Sequence, residues 1–233
     1  QLTDIDKSWL AGFSDLLIDS KKDFANFKYA DVLNNAEHKF WDFCDNYVEL
    51  VKTRAYQQNE TDAGKSALYT LYQSLSFLVR LFAPFLPFVC EHVNNWLGFT
   101  EFLECSEVSE ISVETNITGD DSLQDSRVSG GRARLLQSIH LAPWPMVSEI
   151  MQGEVSEIFS SVITVLNEVR AWKTQSQVSL KAQLASMSIE CASDQARIIK
   201  MGDSDLAHAS NIECSNISFV EGAPNSFNIE VSM

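Results

Sequence analysis

The sequence lacks several features that mark common protein classes. Its five cysteines form no Cys-x-x-Cys pair, which argues against a zinc site or a disulfide framework and favours a reducing, cytoplasmic location. No apolar run approaches the roughly 18 residues that span a membrane, and no signal peptide is visible. The chain starts at Gln1, so we expect an excised fragment of a longer protein.

Positive charge is also scarce. The 17 Lys and Arg residues are outnumbered by 32 Asp and Glu, which gives a net charge of −15. Nucleic-acid binding is driven mostly by neutralisation of phosphates, so this surface should repel nucleic acid in general. Any nucleic-acid function must therefore use a local basic patch and a shape match. A hydrophobic fraction of 45% still allows a sizeable core.

Apolar spacing predicts a helical first half of the chain. Helices are expected over 4–27, from about 29 to 56, over 66–83 and over 87–97, with a polar loop at 57–65. The central stretch, residues 38–56 (HKFWDFCDNYVELVKTRAY), carries a wide apolar face that includes Phe40, Trp41, Phe43 and Tyr47. Aromatic side chains bury large areas, so other helices must pack on this stretch.

The second half of the chain changes character. Residues 101–126 carry many carboxylates and no Lys or Arg, which is typical of a solvated insertion. An extended, Pro-containing strap follows at 138–145 (SIHLAPWP), and then a helix over 149–174. Period-two spacing next predicts strands at 186–191, 211–220 and 226–231, with a short helix at 194–200. The expected fold is mainly α: a helix bundle at 1–97, an acidic insertion or linker at 98–137, and the strap, helix and small α+β module at 138–233.

Five segments carry a resemblance to one family. FWDFCDNYVELVKTR (40–54) resembles the central helix of the anticodon-binding domain of class I valyl-tRNA synthetases. Further segments resemble the family and follow its order along the chain. They are the Phe27-Lys28-Tyr29 turn, LVRLFAPFLPFVCEHV (78–93), SIHLAPWP and VITVLNEVRAWKTQSQVSLKAQL (162–184). The resemblance implies an anticodon-binding helix bundle that binds the anticodon stem-loop of tRNA(Val), within a monomeric valine–tRNA ligase and without a membrane partner.

The family's catalytic motifs are not in this sequence. His-x-Gly-His and Lys-Met-Ser-Lys-Ser, which bind ATP in class I synthetases, are both missing from the 233 residues. The resemblance therefore implies no catalytic residue, no metal ligand and no cofactor in this chain, whereas the full-length enzyme would use ATP and Mg. A helix that supplies anticodon contacts in the family would precede residue 1, so we expect part of the anticodon site to be missing.

Candidate tRNA contacts lie on two neighbouring helices. Lys52 and Arg54 end the central stretch, where long side chains can reach outward, and Tyr56 offers a ring for stacking on an unpaired base. Lys39 and Arg80 are further solvent-side candidates. The competing interpretation is that Lys52 and Arg54 only complement the helix dipole and Glu49, for about 0.3–1 kcal/mol.

Other functions stay open at this stage. Isoleucyl- or leucyl-tRNA synthetase is the nearest alternative, because Arg54-Ala55-Tyr56 faintly resembles an isoleucyl motif. A helical protein-interaction module that uses the acidic insertion is a second. A stand-alone enzyme is a third, and the sequence offers no catalytic constellation for it. Glu91 and His92 could form a catalytic pair, but no nucleophile or metal partner lies nearby in sequence.

Overall fold

The structure, a computed structural model, describes residues 1–56, 61–99, 138–150, 157–222 and 228–232. Contacts divide the chain into two compact units, residues 1–75 with 146–233, and residues 76–145. This division differs from the predicted borders, because the N-terminal helices and the C-terminal module lie in one unit. The expected insertion at 98–137 lies, after its first two residues, outside the described part of the chain.

The N-terminal elements are helical, as predicted. They are α1 (Asp4–Ala11), α2 (Ser14–Ala25), α3 (Tyr29–Asp42), a π-helical segment (Phe43–Val48), α4 (Glu49–Tyr56), α5 (Asp62–Phe82) and α6 (Pro87–Leu97). No strand lies within 36–56 or 66–82, which confirms the helical prediction for these ranges. From α3 to α4 the helix is continuous, and we call Tyr29–Tyr56 the long helix.

The prediction of a single helix over 4–27 is wrong, because the chain turns between α1 and α2 at Gly12 and Phe13. Gly12 lies beneath the Lys39 side chain: a Cβ added there would come 3.2 Å from the Lys39 Nζ atom. The turn directs Phe13 into the core, where its ring meets the Trp9 ring edge-on at 5.5 Å. The helix therefore breaks where Phe13 packs against Trp9, although the apolar spacing of the sequence continues through the break.

The core of the larger unit is built on Trp9, which is fully buried. Phe43 and Tyr47 of the π-helical segment stack on its ring at 6.2 and 4.7 Å. The indole nitrogen donates a hydrogen bond to the Ser74 Oγ atom at 2.8 Å. A π-helix widens the turn of the backbone and recurs at functional positions; here it places two aromatic rings four residues apart on the same partner.

The C-terminal part of this unit consists of α7 (Ile158–Gln175), β1 (Ser186–Cys191), α8 (Ser193–Lys200), α9 (Asp203–Ser210), β2 (Ile217–Glu221) and β3 (Asn228–Ser232). The sheet order is β2-β1-β3, with β1 parallel to β2 and antiparallel to β3. The prediction of β1 and the short helix α8 is confirmed. The strand predicted from 211 begins only at Ile217, and α9 was not predicted.

In the smaller unit, Pro87 is the first residue of α6. Proline is tolerated there because the first N–H groups of a helix have no partner within the helix, so the N–H that proline lacks costs no hydrogen bond. The Glu91 carboxylate accepts hydrogen bonds from Ser138 Oγ and from the Ile139 amide, both at 3.0 Å. The His92 ring packs against the Trp96 ring at 4.5 Å. Glu91 therefore fastens the strap to α6, and the contacts of the pair are structural.

Candidate nucleic-acid interface

Arg54 lies inside the larger unit, so the expectation that it reaches outward is wrong. Its side chain is 10% exposed. The guanidinium donates to both carboxylate oxygens of Asp6 at 2.6 and 2.8 Å, and its Nε atom donates to Asp205 at 2.9 Å. Another donor reaches the Ala63 carbonyl at 3.0 Å. Arg54 thereby ties the end of the long helix to α1 and α9.

Asp6 is the most enclosed member of this cluster, at 0% exposure. It also accepts hydrogen bonds from the Tyr47 hydroxyl at 2.6 Å and from Ser66. Burial alone would raise the pKa of Asp6, but its bonds to Arg54, Ser66 and Tyr47 hold that pKa below the usual value. Burial raises the pKa of Asp205 in spite of Arg54. The two carboxylates thus share one guanidinium, and Asp6 is the better stabilised anion.

Lys39 is also mostly enclosed, although it was expected on the solvent side. Its side chain is 15% exposed, and its Nζ atom lies 3.7 Å from the centre of the Trp9 ring, in a cation–π contact. Burial lowers the pKa of Lys39 to about 8, against the opposing effect of Asp42. Its ammonium is therefore a weak candidate for a phosphate contact.

Arg80, in the smaller unit, is buried at 3% exposure, so its predicted solvent position is wrong as well. Its guanidinium donates to the carbonyls of Ser76 and Pro143 at 3.3 and 3.4 Å and lies 5.4 Å from the Phe77 ring. These contacts join α5 to the strap within that unit. The arginine is two residues from the end of α5, where sequence alone did not separate a buried face from an exposed one.

Lys52 and Tyr56 are the two candidates that the structure leaves accessible. The Lys52 side chain is 45% exposed and pairs with the Glu49 carboxylate one turn earlier. Tyr56 is 82% exposed. The two residues are four apart on α4 and so project from the same face. The ion pair with Glu49 agrees with the helix-end interpretation, while a tRNA contact by Lys52 or Tyr56 stays a prediction.

A groove of about 800 Å³ opens beside Lys52, and we call it the Lys52 groove. It lies between the long helix, α7, the 180–181 loop and the end of α9. Four basic side chains line it against two carboxylates: Lys52, Arg170, Lys173 and Lys181 against Asp45 and Glu49. The groove is thus locally basic in a chain whose net charge is −15.

Sequence reasoning missed three of these four cations. Arg170 and Lys173 are three residues apart on α7 and so share a face, which was the available signal. Arg170 donates to the Asp45 carbonyl and the Asn46 side chain, both at 3.0 Å. The Asp45 carbonyl, which accepts this hydrogen bond, belongs to the π-helical segment. Arg170 therefore fixes α7 against the long helix at the edge of the groove.

Metal-ligand clusters and membrane-spanning helices are both absent from the described residues. These residues contain no group of three or more His, Cys, Asp or Glu side chains that could hold a metal ion. Among the helices described, none is long and apolar enough to cross a membrane. What the larger unit does present is an exposed aromatic ring beside a basic groove, and this combination suits an RNA loop and its backbone.

Comparison with known proteins shows the family of the chain. The family profile described as the anticodon-binding domain of tRNA ligase matches residues 6–189. The valine–tRNA ligase of Cutibacterium acnes is 30% identical over 219 residues, which cover 93% of this chain and 21% of that protein. The corresponding ligase of Anaplasma marginale is 34% identical over 165 residues, or 70% of this chain and 16% of that protein.

That of Salinispora arenicola is 44% identical over 92 residues, which cover 40% of this chain and 11% of that protein. The chain spans about a fifth of the length of the first of these relatives and less of the others. The profile match alone covers well over half of the chain and includes the long helix, Asp6 with Arg54, and the first four residues of β1. The chain therefore belongs to the family of anticodon-binding domains of tRNA ligases.

Proposed function

We propose that this chain binds the anticodon stem-loop of tRNA(Val), as a monomeric part of a valine–tRNA ligase that uses ATP and Mg elsewhere in its structure. The observation that carries the proposal is the similarity to a valine–tRNA ligase along 93% of the chain. The family establishes the anticodon-binding class, and the relatives' names supply the amino acid. The exposed Lys52 and Tyr56 supply chemistry that fits an RNA loop.

Binding of labelled tRNA transcripts by the 233-residue chain tests this function. We expect tRNA(Val) to bind at least tenfold more tightly than tRNA(Val) carrying an unrelated anticodon loop, because loop bases are read by stacking and edge contacts. Fluorescence anisotropy at a fixed salt concentration measures both dissociation constants. A preference for tRNA(Ile) or tRNA(Leu) would move the assignment to those ligases, and equal binding of all transcripts would contradict it.

We propose further that the chain alone forms no aminoacyl-adenylate, since neither ATP-binding motif occurs in its 233 residues. The measurement is ATP–pyrophosphate exchange with valine. Exchange above the background of a protein-free reaction would contradict this part of the proposal and leave the anticodon-binding part intact.

A further inference from the structure

The Lys52 groove contains an unusual buried cation. Lys173 is 2% exposed, and its ammonium donates to the carbonyls of Leu180, Ala182 and Ser210 at 3.0, 2.9 and 2.9 Å. Three acceptors use all three hydrogens of an ammonium, whereas a neutral amine has only two. The geometry therefore requires the charged form, even though burial lowers the pKa of Lys173.

No carboxylate in the described part of the chain lies within 4.0 Å of this ammonium. Carbonyl dipoles satisfy its hydrogen bonds but leave its net charge uncompensated. A buried charge is screened less than an exposed one, so its attraction for an anion in the groove extends further. Lys173 thus places a fixed positive charge in the groove wall.

The groove walls are also held in place. Arg170 bonds the long helix, and Lys173 bonds the 180–182 loop to the end of α9. The Asn211 side chain adds a bond to the Lys181 carbonyl at 2.8 Å. The Lys181 side chain itself is exposed and has no ion-pair partner among the described residues. Donors fixed on a rigid scaffold bind an anion with less loss of entropy.

We infer that the Lys52 groove holds the phosphate backbone of an RNA stem. Lys52, Arg170 and Lys181 contact the phosphates, and the buried positive charge of Lys173 attracts them without contact. The inference rests on the proposed function, since the stem would be that of the tRNA anticodon arm. Tyr56, one turn beyond Lys52 on the same helix face, lies where a base of the adjoining loop can stack. Charge complementarity favours this occupant, because phosphate is the anion that clustered Lys and Arg side chains neutralise.

Glu49 should weaken this binding, so removing its charge tests the inference through an expected gain in affinity. It neutralises Lys52 through their ion pair and repels phosphate directly. Replacing it by Gln should free Lys52, so Glu49→Gln is expected to tighten tRNA(Val) binding about threefold to tenfold. Glu37→Gln is the matched control, because Glu37 is exposed on the same long helix and does not line the groove.

The loss variant is Lys52→Ala with Lys181→Ala. We expect its dissociation constant for tRNA(Val) to rise about tenfold, and the slope of log K against log[salt] to become shallower by about 1 to 2, or roughly one per phosphate contact. Lys21→Ala with Lys22→Ala is the matched control, because both lysines are exposed on α2 and carry the same charge. The double variant Lys52→Arg with Lys181→Arg keeps both positive charges and should show the same salt slope as the wild-type chain.

The outcomes separate the two proposals. If wild-type chain binds tRNA(Val) specifically but neither the loss variant nor Glu49→Gln differs from its control, the groove inference is overturned and the proposed function stands. If the control pair weakens binding as much as the groove pair, only general charge matters and the inference is again overturned. If wild-type chain binds no tRNA, both proposals fail. Circular dichroism and urea unfolding check that every variant is folded.

Discussion

Lys52 and Arg54 lie two residues apart on α4 and have opposite environments. Lys52 lines an open groove, whereas Arg54 is enclosed by Asp6 and Asp205. Two residues correspond to about 200° of rotation in an α-helix, so neighbours of this kind face opposite sides. Arg54 shares the face of Tyr47, Leu50 and Val51, all of which are buried. The comparison shows that helix angle, rather than position at the helix end, decides which cation holds the fold together and which can meet a ligand.

The largest effect should follow Arg54→Ala. It leaves Asp6 and Asp205 enclosed without their cation, and breaking such a pair from one side typically costs about 3–5 kcal/mol. We expect urea unfolding to show a loss of that size, or a chain that does not fold. Lys52→Ala is the control and should change the free energy of unfolding by less than about 0.5 kcal/mol. Similar small losses in both variants would remove the contrast between the two positions.

Lys173→Met extends the comparison to the buried cation of the groove. Three carbonyls lose their donor, and each carbonyl that stays buried without a partner costs about 1–3 kcal/mol. Thermal or urea unfolding should show this loss, whereas Lys181→Met on the groove surface should be nearly neutral. A stable Lys173→Met chain would mean that water replaces the ammonium and that the groove is more open than described.

Tyr56→Ala tests the exposed side of α4. Stacking of one base on an aromatic ring contributes about 1–3 kcal/mol, so the dissociation constant for tRNA(Val) should rise by roughly fivefold or more. The unfolding free energy should not change, because Tyr56 is 82% exposed. Tyr56→Phe keeps the ring and should bind as wild type does. A Tyr56→Ala chain with unchanged affinity would place the loop contact elsewhere.

The smallest expected effect is a pH dependence from Lys39. Its pKa of about 8 in the folded chain lies below its ordinary value of 10.5. Between these two pH values the unfolded chain binds more protons, so stability should rise with pH, by less than about 1.4 kcal/mol per pH unit. Lys39→Met should lack this rise when urea unfolding is compared at pH 7, 8 and 9. Parallel profiles for wild type and variant would show that Lys39 titrates normally.

Local features of the sequence were sufficient for most elements of the fold. The helices α3 to α6, the strand β1 and the short helix α8 follow from apolar spacing and from the two prolines after Phe82. The break between α1 and α2 was not visible, because Gly12 is tolerated in a helix and Phe13 fits the apolar spacing. Helix α9 was missed because its buried positions include Asp205, a charged residue that the spacing counts as solvent-facing.

The sequence by itself determined the family, the helical class and the need for a local basic patch, since segment order, apolar period and net charge are all properties of the chain. Only the tertiary structure decided which cations form that patch. Asp6, Arg54 and Asp205 are joined across 48 and 151 residues of sequence, and Lys173 acquires its role from carbonyls on a loop and on α9. The accessibility of a charge depends on elements that are distant in sequence, and no local pattern records it.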